Sequence, residues 1–234
     1  MLASCGVAEA KDPPPPAPPP VRFEHDMMVR FHMHENFGLL RAIEKLLLRG
    51  KREEATALAR AIAEAPDEPS LGELEVHAIR VRDLAAALAR APSIDEACAR
   101  EARLAVACAG CHQATGVVPA LSSVPALPPD KPTIEARMAR HVWATDRLWE
   151  ASVGGGDEPW AKGLQVLAAA PLPFRGGLAD RAALAKQLQQ LASAALKRTA
   201  IDNLTERGRA YGEILTVCAT CHMAGASSSG PSQK

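Results

Sequence analysis

Apolar residues recur along this chain at three- and four-residue steps, and no stretch alternates with period two for long, so helices are predicted throughout. From about residue 22 to 49, Leu39, Leu40, Ile43, Leu46 and Leu47 mark one face of a long helix that Gly50 ends. Residues 53–64 read as a short Ala-rich helix closed by Pro66, and 71–91 as a third. Ser93-Ile94-Asp95-Glu96 is a capping box that opens a fourth. The plan then repeats. Residues 133–152 are helical and Gly154-Gly155-Gly156 end them; 158–170 are closed by Pro171 and Pro173; 178–197 form the third helix of the second half. The fourth starts near 200, with Ile201, Leu204, Gly208, Tyr211, Leu215, Cys218 and Cys221 at helical steps. The pattern predicts an all-α fold of two tandem four-helix bundles, over 22–116 and 132–225. A Pro-rich linker, 117–131, joins them; a start and spacer, 1–21, precede them; and a disordered tail, 226–234, follows.

Composition adds a puzzle. Hydrophobic residues make up 47% of the 234 positions, but aromatic residues only 3%. After Phe37 the next aromatic side chain is Trp143. A first bundle packed from Ala, Leu and Val alone falls short of bulk, because native interiors are close-packed. Something other than side chains is expected to help fill it. Charge removes other classes. The 27 basic residues balance 27 acidic ones, which excludes a broad basic footprint for nucleic acid. No apolar run approaches 18 residues.

Six cysteines are too few for a disulfide scaffold, so their spacing carries the information. Four fall in two matching patterns, Cys108-Ala109-Gly110-Cys111-His112 and Cys218-Ala219-Thr220-Cys221-His222. C-x-x-C-H is the attachment signature of c-type haem. Residues three apart lie on one face of a helix, so two such thiols can each add to one vinyl group of a porphyrin. The adjacent histidine then reaches the iron from the proximal side. A zinc site is the competing reading, and it requires the two pairs to meet in space. A thioredoxin-like redox pair requires a strand before the motif, and none is visible.

Four antiparallel helices with C-x-x-C-H near the end of the last one resemble the class II c-type cytochromes, the cytochrome c-prime family. The likeness covers about 22–116 and 132–225. It implies two covalently bound haem c groups, one on Cys108 and Cys111 with His112 as iron ligand, the other on Cys218 and Cys221 with His222. It also implies that the first helix of each bundle faces the distal side of the iron. In that family this helix often carries an Arg, the distal residue four later, a Gly four later still, and a helix-ending Gly. Arg30, His34, Gly38 and Gly50 follow the pattern; Arg137, His141 and Gly154 to Gly156 do so with Thr145 in place of the middle Gly. Typical members place Leu, an aromatic residue or Met at the distal position. Histidine in both halves implies six-coordinate, bis-His iron. The Arg that usually follows the haem histidine is missing from 113–116 and 223–226.

The apolar stripe leaves the distal ligands open. Plotted at 100° per residue, it passes nearer His32 and Met28 than His34, and favours Met138 over His141. His34 with His141 is the preferred pair, and His32 with Met138 the alternative. Bis-His ligation gives lower potentials than His/Met, and a vacant distal side would bind CO or NO. Arg30 and Arg137 are candidate contacts for haem propionates, although a solvated helix face is the ordinary place for an Arg. His25 and His77 have no repeat partner and read as surface residues. Cys98 reads as a small buried hydrophobe. Trp143, Trp149 and Tyr211 read as core or haem-packing residues.

Leu2-Ala3-Ser4-Cys5 resembles a bacterial lipobox, with Cys5 as the lipidated residue, although the charged and apolar regions expected before it are absent. Seven prolines in 11–20 form a stiff, extended spacer behind it. Gly6 in place of Asp points to the outer membrane of a Gram-negative bacterium. The resulting expectation is an exported, lipid-anchored dihaem cytochrome, an electron carrier and not an enzyme. Its partners would be periplasmic or membrane redox proteins, and the family resemblance adds homodimerisation. The alternative is a five-coordinate haem module that binds or senses NO or CO.

Overall fold

Among the described residues eight helices follow one another: α1 Met27–Leu48, α2 Arg52–Ala63, α3 Glu75–Ala89, α4 Ile94–Thr115, α5 Ile134–Gly154, α6 Asp157–Ala169, α7 Ala179–Lys197 and α8 Leu204–Ser227. The computed structural model describes residues 27–65, 74–117, 119, 125–169, 172, 179–198 and 203–227, and none of these is in a strand. Cys5, His25, the Pro-rich spacer, the centre of the 117–131 linker and residues 228–234 lie outside the described residues, as do the side chains of Met28 and His32.

The helix ends follow from local chemistry. Ser93 Oγ accepts from the Glu96 amide at 3.2 Å and opens α4, and Thr133 Oγ1 does the same for α5 from the Ala136 amide at 3.2 Å. Gly50 ends α1 in the left-handed region, at φ 73°, and the Lys51 amide donates to Leu46 O at 2.9 Å. Gly116 and Gly155 close α4 and α5 with φ of 68° and 80°.

Consecutive helices pack against each other within α1–α4 and within α5–α8. The most extensive contact of all, however, is between α4 and α8, the two helices that carry C-x-x-C-H. Small residues make this possible. A Cβ on Gly212 would lie 3.1 Å from Ala99 Cα, and one on Gly208 would lie 3.1 Å from Val106 Cγ2 and 3.3 Å from Ala102 O. Cys98 and Ala102 are fully buried along this seam. Helix α5 also packs more extensively on α4 than on α8. From α1, Phe37 meets the Trp149 ring of α5 edge-on at 4.8 Å, and Arg41 stacks over the same ring at 4.5 Å. The halves therefore interlock, a feature that the repeat in the sequence does not reveal.

Candidate functional site

Two turns from the end of α8, Cys218 and Cys221 sit on one face, three residues apart, with His222 beside them. They line a cavity of about 240 Å³. Across it stand Met138, His141, Val142 and Thr145 of α5, while Leu184 and Leu188 of α7 form an apolar wall. Lys45, Leu48 and Arg49, from the end of α1, complete the lining. His141 is buried, with 6% of its surface exposed. The structure thus brings both α5 residues considered as distal ligands to the cavity that holds the second motif.

His222 Nδ1 hydrogen-bonds the carbonyl of Leu48. The last carbonyls of an α-helix have no partner within the helix, and Leu48 is the final residue of α1. A carbonyl can only accept, so Nδ1 carries the proton. In the neutral ring this leaves the Nε2 lone pair for a metal, the arrangement by which a second partner orients a ligating imidazole.

The first motif repeats this chemistry. Cys108, Cys111 and His112 lie near the end of α4, and His112 Nδ1 donates to Val153 O, one residue from the end of α5, at 3.1 Å. Burial lowers the His112 pKa, which favours its neutral, ligating form, and the bond to Val153 opposes that shift. All four motif cysteines are free thiols. Burial pushes the Cys108 and Cys218 thiols up to about 12. Among the described residues, no group of three or more His, Cys, Asp or Glu could hold a metal ion. Each motif presents two thiols three residues apart and one imidazole held at Nδ1.

The two halves are less alike on the distal side. His34 is exposed on α1, whereas His141 is buried. Superposing Leu48 on Val153 and Gly50 on Gly155 also aligns buried Leu40, Ile43, Glu44 and Leu47 with buried Thr145, Leu148, Trp149 and Ser152. In that register His141 falls opposite Asn36 and Met138 opposite Met33, so the two Arg-x-x-x-His sequences are out of step. Arg30 is exposed, and Arg137 is paired with Asp130 at 2.9 Å. The Lys and Arg side chains that line the cavity at the α8 motif are Lys45 and Arg49, which sequence patterning did not single out. Trp143, Trp149 and Tyr211 are buried, as is Cys98, whose thiol burial pushes up; His77 is half-buried on α3.

Sequence patterning also missed a buried acidic cluster on α1 and α4. Glu44 is fully buried; Tyr211 Oη donates to it at 3.2 Å and Arg41 at 3.2 Å. Arg41 and Lys45 both reach Asp146 of α5, at 2.5 and 2.6 Å. Glu101 is fully buried too, and neither of its carboxylate oxygens has a hydrogen-bond partner among the described residues. Burial raises its pKa well above the usual range, and the charge of Glu44 adds to this. Burial likewise raises Glu44 from 4.5 to about 7 against the pull of Arg41 and Lys45.

A carboxyl whose folded pKa is raised binds its proton more tightly when folded, so its contribution is present below about pH 4.5 and lost as pH rises through about 7. Glu44→Gln is therefore expected to match the wild type at pH 4.5 and exceed it at pH 8, by on the order of 2–3 kcal/mol. Urea unfolding at the two pH values checks this; an equal difference at both would contradict it.

No family model, curated protein or solved structure matches this chain.

Proposed function

We propose that this protein is a dihaem c-type cytochrome of cytochrome c-prime-like architecture, two interlocked four-helix bundles that carry single electrons between redox partners. The observation that carries the reading is the cavity at the α8 motif. There Cys218, Cys221 and His222 face Met138 and His141 across an apolar space, and His222 Nδ1 is already bonded. Cys108 and Cys111 would hold the first haem and Cys218 and Cys221 the second, with His112 and His222 as proximal ligands. His34 and His141 are the proposed distal ligands. A bound haem supplies the one-electron Fe(III)/Fe(II) couple. The chain's own part is to orient the imidazoles, exclude water with Leu184 and Leu188, and offer Arg49 to acidic groups at the cavity.

Two thioether-held haems place the protein outside the cytoplasm, in the periplasm, with Cys5 as its lipid anchor to the outer membrane. Periplasmic or membrane redox proteins would be its partners. We assign it no catalysis of its own. Electrochemical titration tests the function. Two electrons taken up per chain, in reversible one-electron steps, is the expected result; uptake without reversibility, or none, would contradict it.

A second reading, a five-coordinate gas-binding haem, has one observation in its favour at the first site. There His34 is exposed, and the helix-end register puts Asn36 where α5 has His141. CO binding at the haem on α4 alone would establish it there.

A further inference from the structure

We propose that each haem site is completed by the opposite half of the chain: the end of α1 positions His222, and the end of α5 positions His112. This rests on the dihaem reading and goes beyond it, since tandem bundles would each be expected to hold their own histidine. The arrangement occurs twice. His222 of the second half bonds Leu48 of the first, and His112 of the first half bonds Val153 of the second. Each acceptor lies in the last turn of a first helix, where carbonyls lack helical partners and the helix dipole is negative.

The glycine that ends each helix is fitted to the same contact. A Cβ on Gly50 would overlap Met223 Cγ, next to His222. A Cβ on Gly155 would lie 3.2 Å from Gln113 Nε2, next to His112. Both glycines also have positive φ. At the second site the crossing extends to the cavity wall, through Lys45 and Leu48 of α1 and Arg49 just after it.

The chemical consequence is reciprocal. An acceptor at Nδ1 makes the imidazole a more electron-rich ligand, which favours oxidised iron. Helix α1 carries the proposed distal residue of its own half, His34, and the carbonyl that tunes the other half's proximal histidine. Helix α5 carries His141 and the carbonyl of Val153. Neither half alone therefore contains the acceptor for its own histidine. Leu48 and Val153 act as positioning residues through their main-chain oxygens.

The test uses full-length protein with one motif disabled at a time. In Cys108→Ala/Cys111→Ala protein the haem on α8 alone is held covalently; in Cys218→Ala/Cys221→Ala protein, the haem on α4 alone. Gly50→Ala is expected to raise the reduction potential of the α8 haem and to speed solvent exchange of the His222 Nδ1 proton, followed by NMR. It should leave the α4 haem unchanged. Adding Met223→Ala removes the overlap but keeps the backbone strain, and is expected to restore both readouts. Gly155→Ala, a milder change, should act on the α4 haem alone, and it decides the matter if Gly50→Ala does not fold. An effect of Gly50→Ala on the α4 haem, on both haems or on neither would overturn the proposal. So would a shift that Met223→Ala fails to reverse. Wild-type protein without covalent haem would overturn the dihaem reading itself; haem present without crossed effects would overturn this inference alone.

Discussion

Alanine in place of Cys218 and Cys221 is expected to leave one covalently bound haem per chain instead of two. The two thiols share a face of α8 and open onto the cavity that the second haem would fill. Without them His222 and His141 could still hold a haem by coordination, but acidified organic solvent would extract it. The ferrous pyridine haemochrome spectrum after extraction, together with the intact mass, reads the difference directly. Stability should fall as well. Denaturant unfolding of the extracted variant against the wild type measures that loss. A zinc or thiol-redox site would give a wild type with no haem to lose.

His141→Ala is expected to turn the second haem from one that ignores CO into one that binds it stoichiometrically. His141 is buried, lines the same cavity as His222 and stands on the facing helix. Removing its imidazole frees the sixth position and makes the reduced iron high-spin. Met138→Ala is the control, because Met138 lines the same cavity. It should change neither spin state nor CO binding. If the roles are reversed, the wild type has a sulfur–iron band in the red and Met138→Ala abolishes it. Optical spectra of reduced protein with and without CO, in the variant that lacks the first motif, separate the two. His34→Ala asks the same question of the first haem.

The helices were legible because their signals are local. The Ser93 and Thr133 caps, the stops at Gly50 and Gly155, and the apolar spacing of 39–47 each act within a turn or two, and the structure places α1, α4 and α5 accordingly. The two motifs were legible for the same reason. What lies between helices was not. Nothing near Leu48 announces that its carbonyl meets His222, because a main-chain oxygen has no sequence signature. The close approach of α4 and α8 was foreshadowed only by the small residues Cys98, Ala102, Gly208 and Gly212, which are equally at home elsewhere. Glu44 and Glu101 occupy core positions that patterning assigns to apolar residues, and only the packing of α1, α4 and α8 reveals them. The Arg-x-x-x-His match suggested that His34 and His141 are equivalent. The buried residues of α1 and α5 set a different register, since packing along the whole helix outweighs a two-residue motif.

The most direct test of the dihaem account is the optical spectrum of the full chain, produced in a host that matures c-type haem, with haem content from the pyridine haemochrome. The protein would be examined oxidised, reduced, and reduced under CO. Two covalent haems per chain, low-spin in both states and unaffected by CO, is the predicted result. Absence of covalent haem would contradict the account outright; a reduced spectrum that shifts with CO would contradict six-coordination and put gas binding in its place.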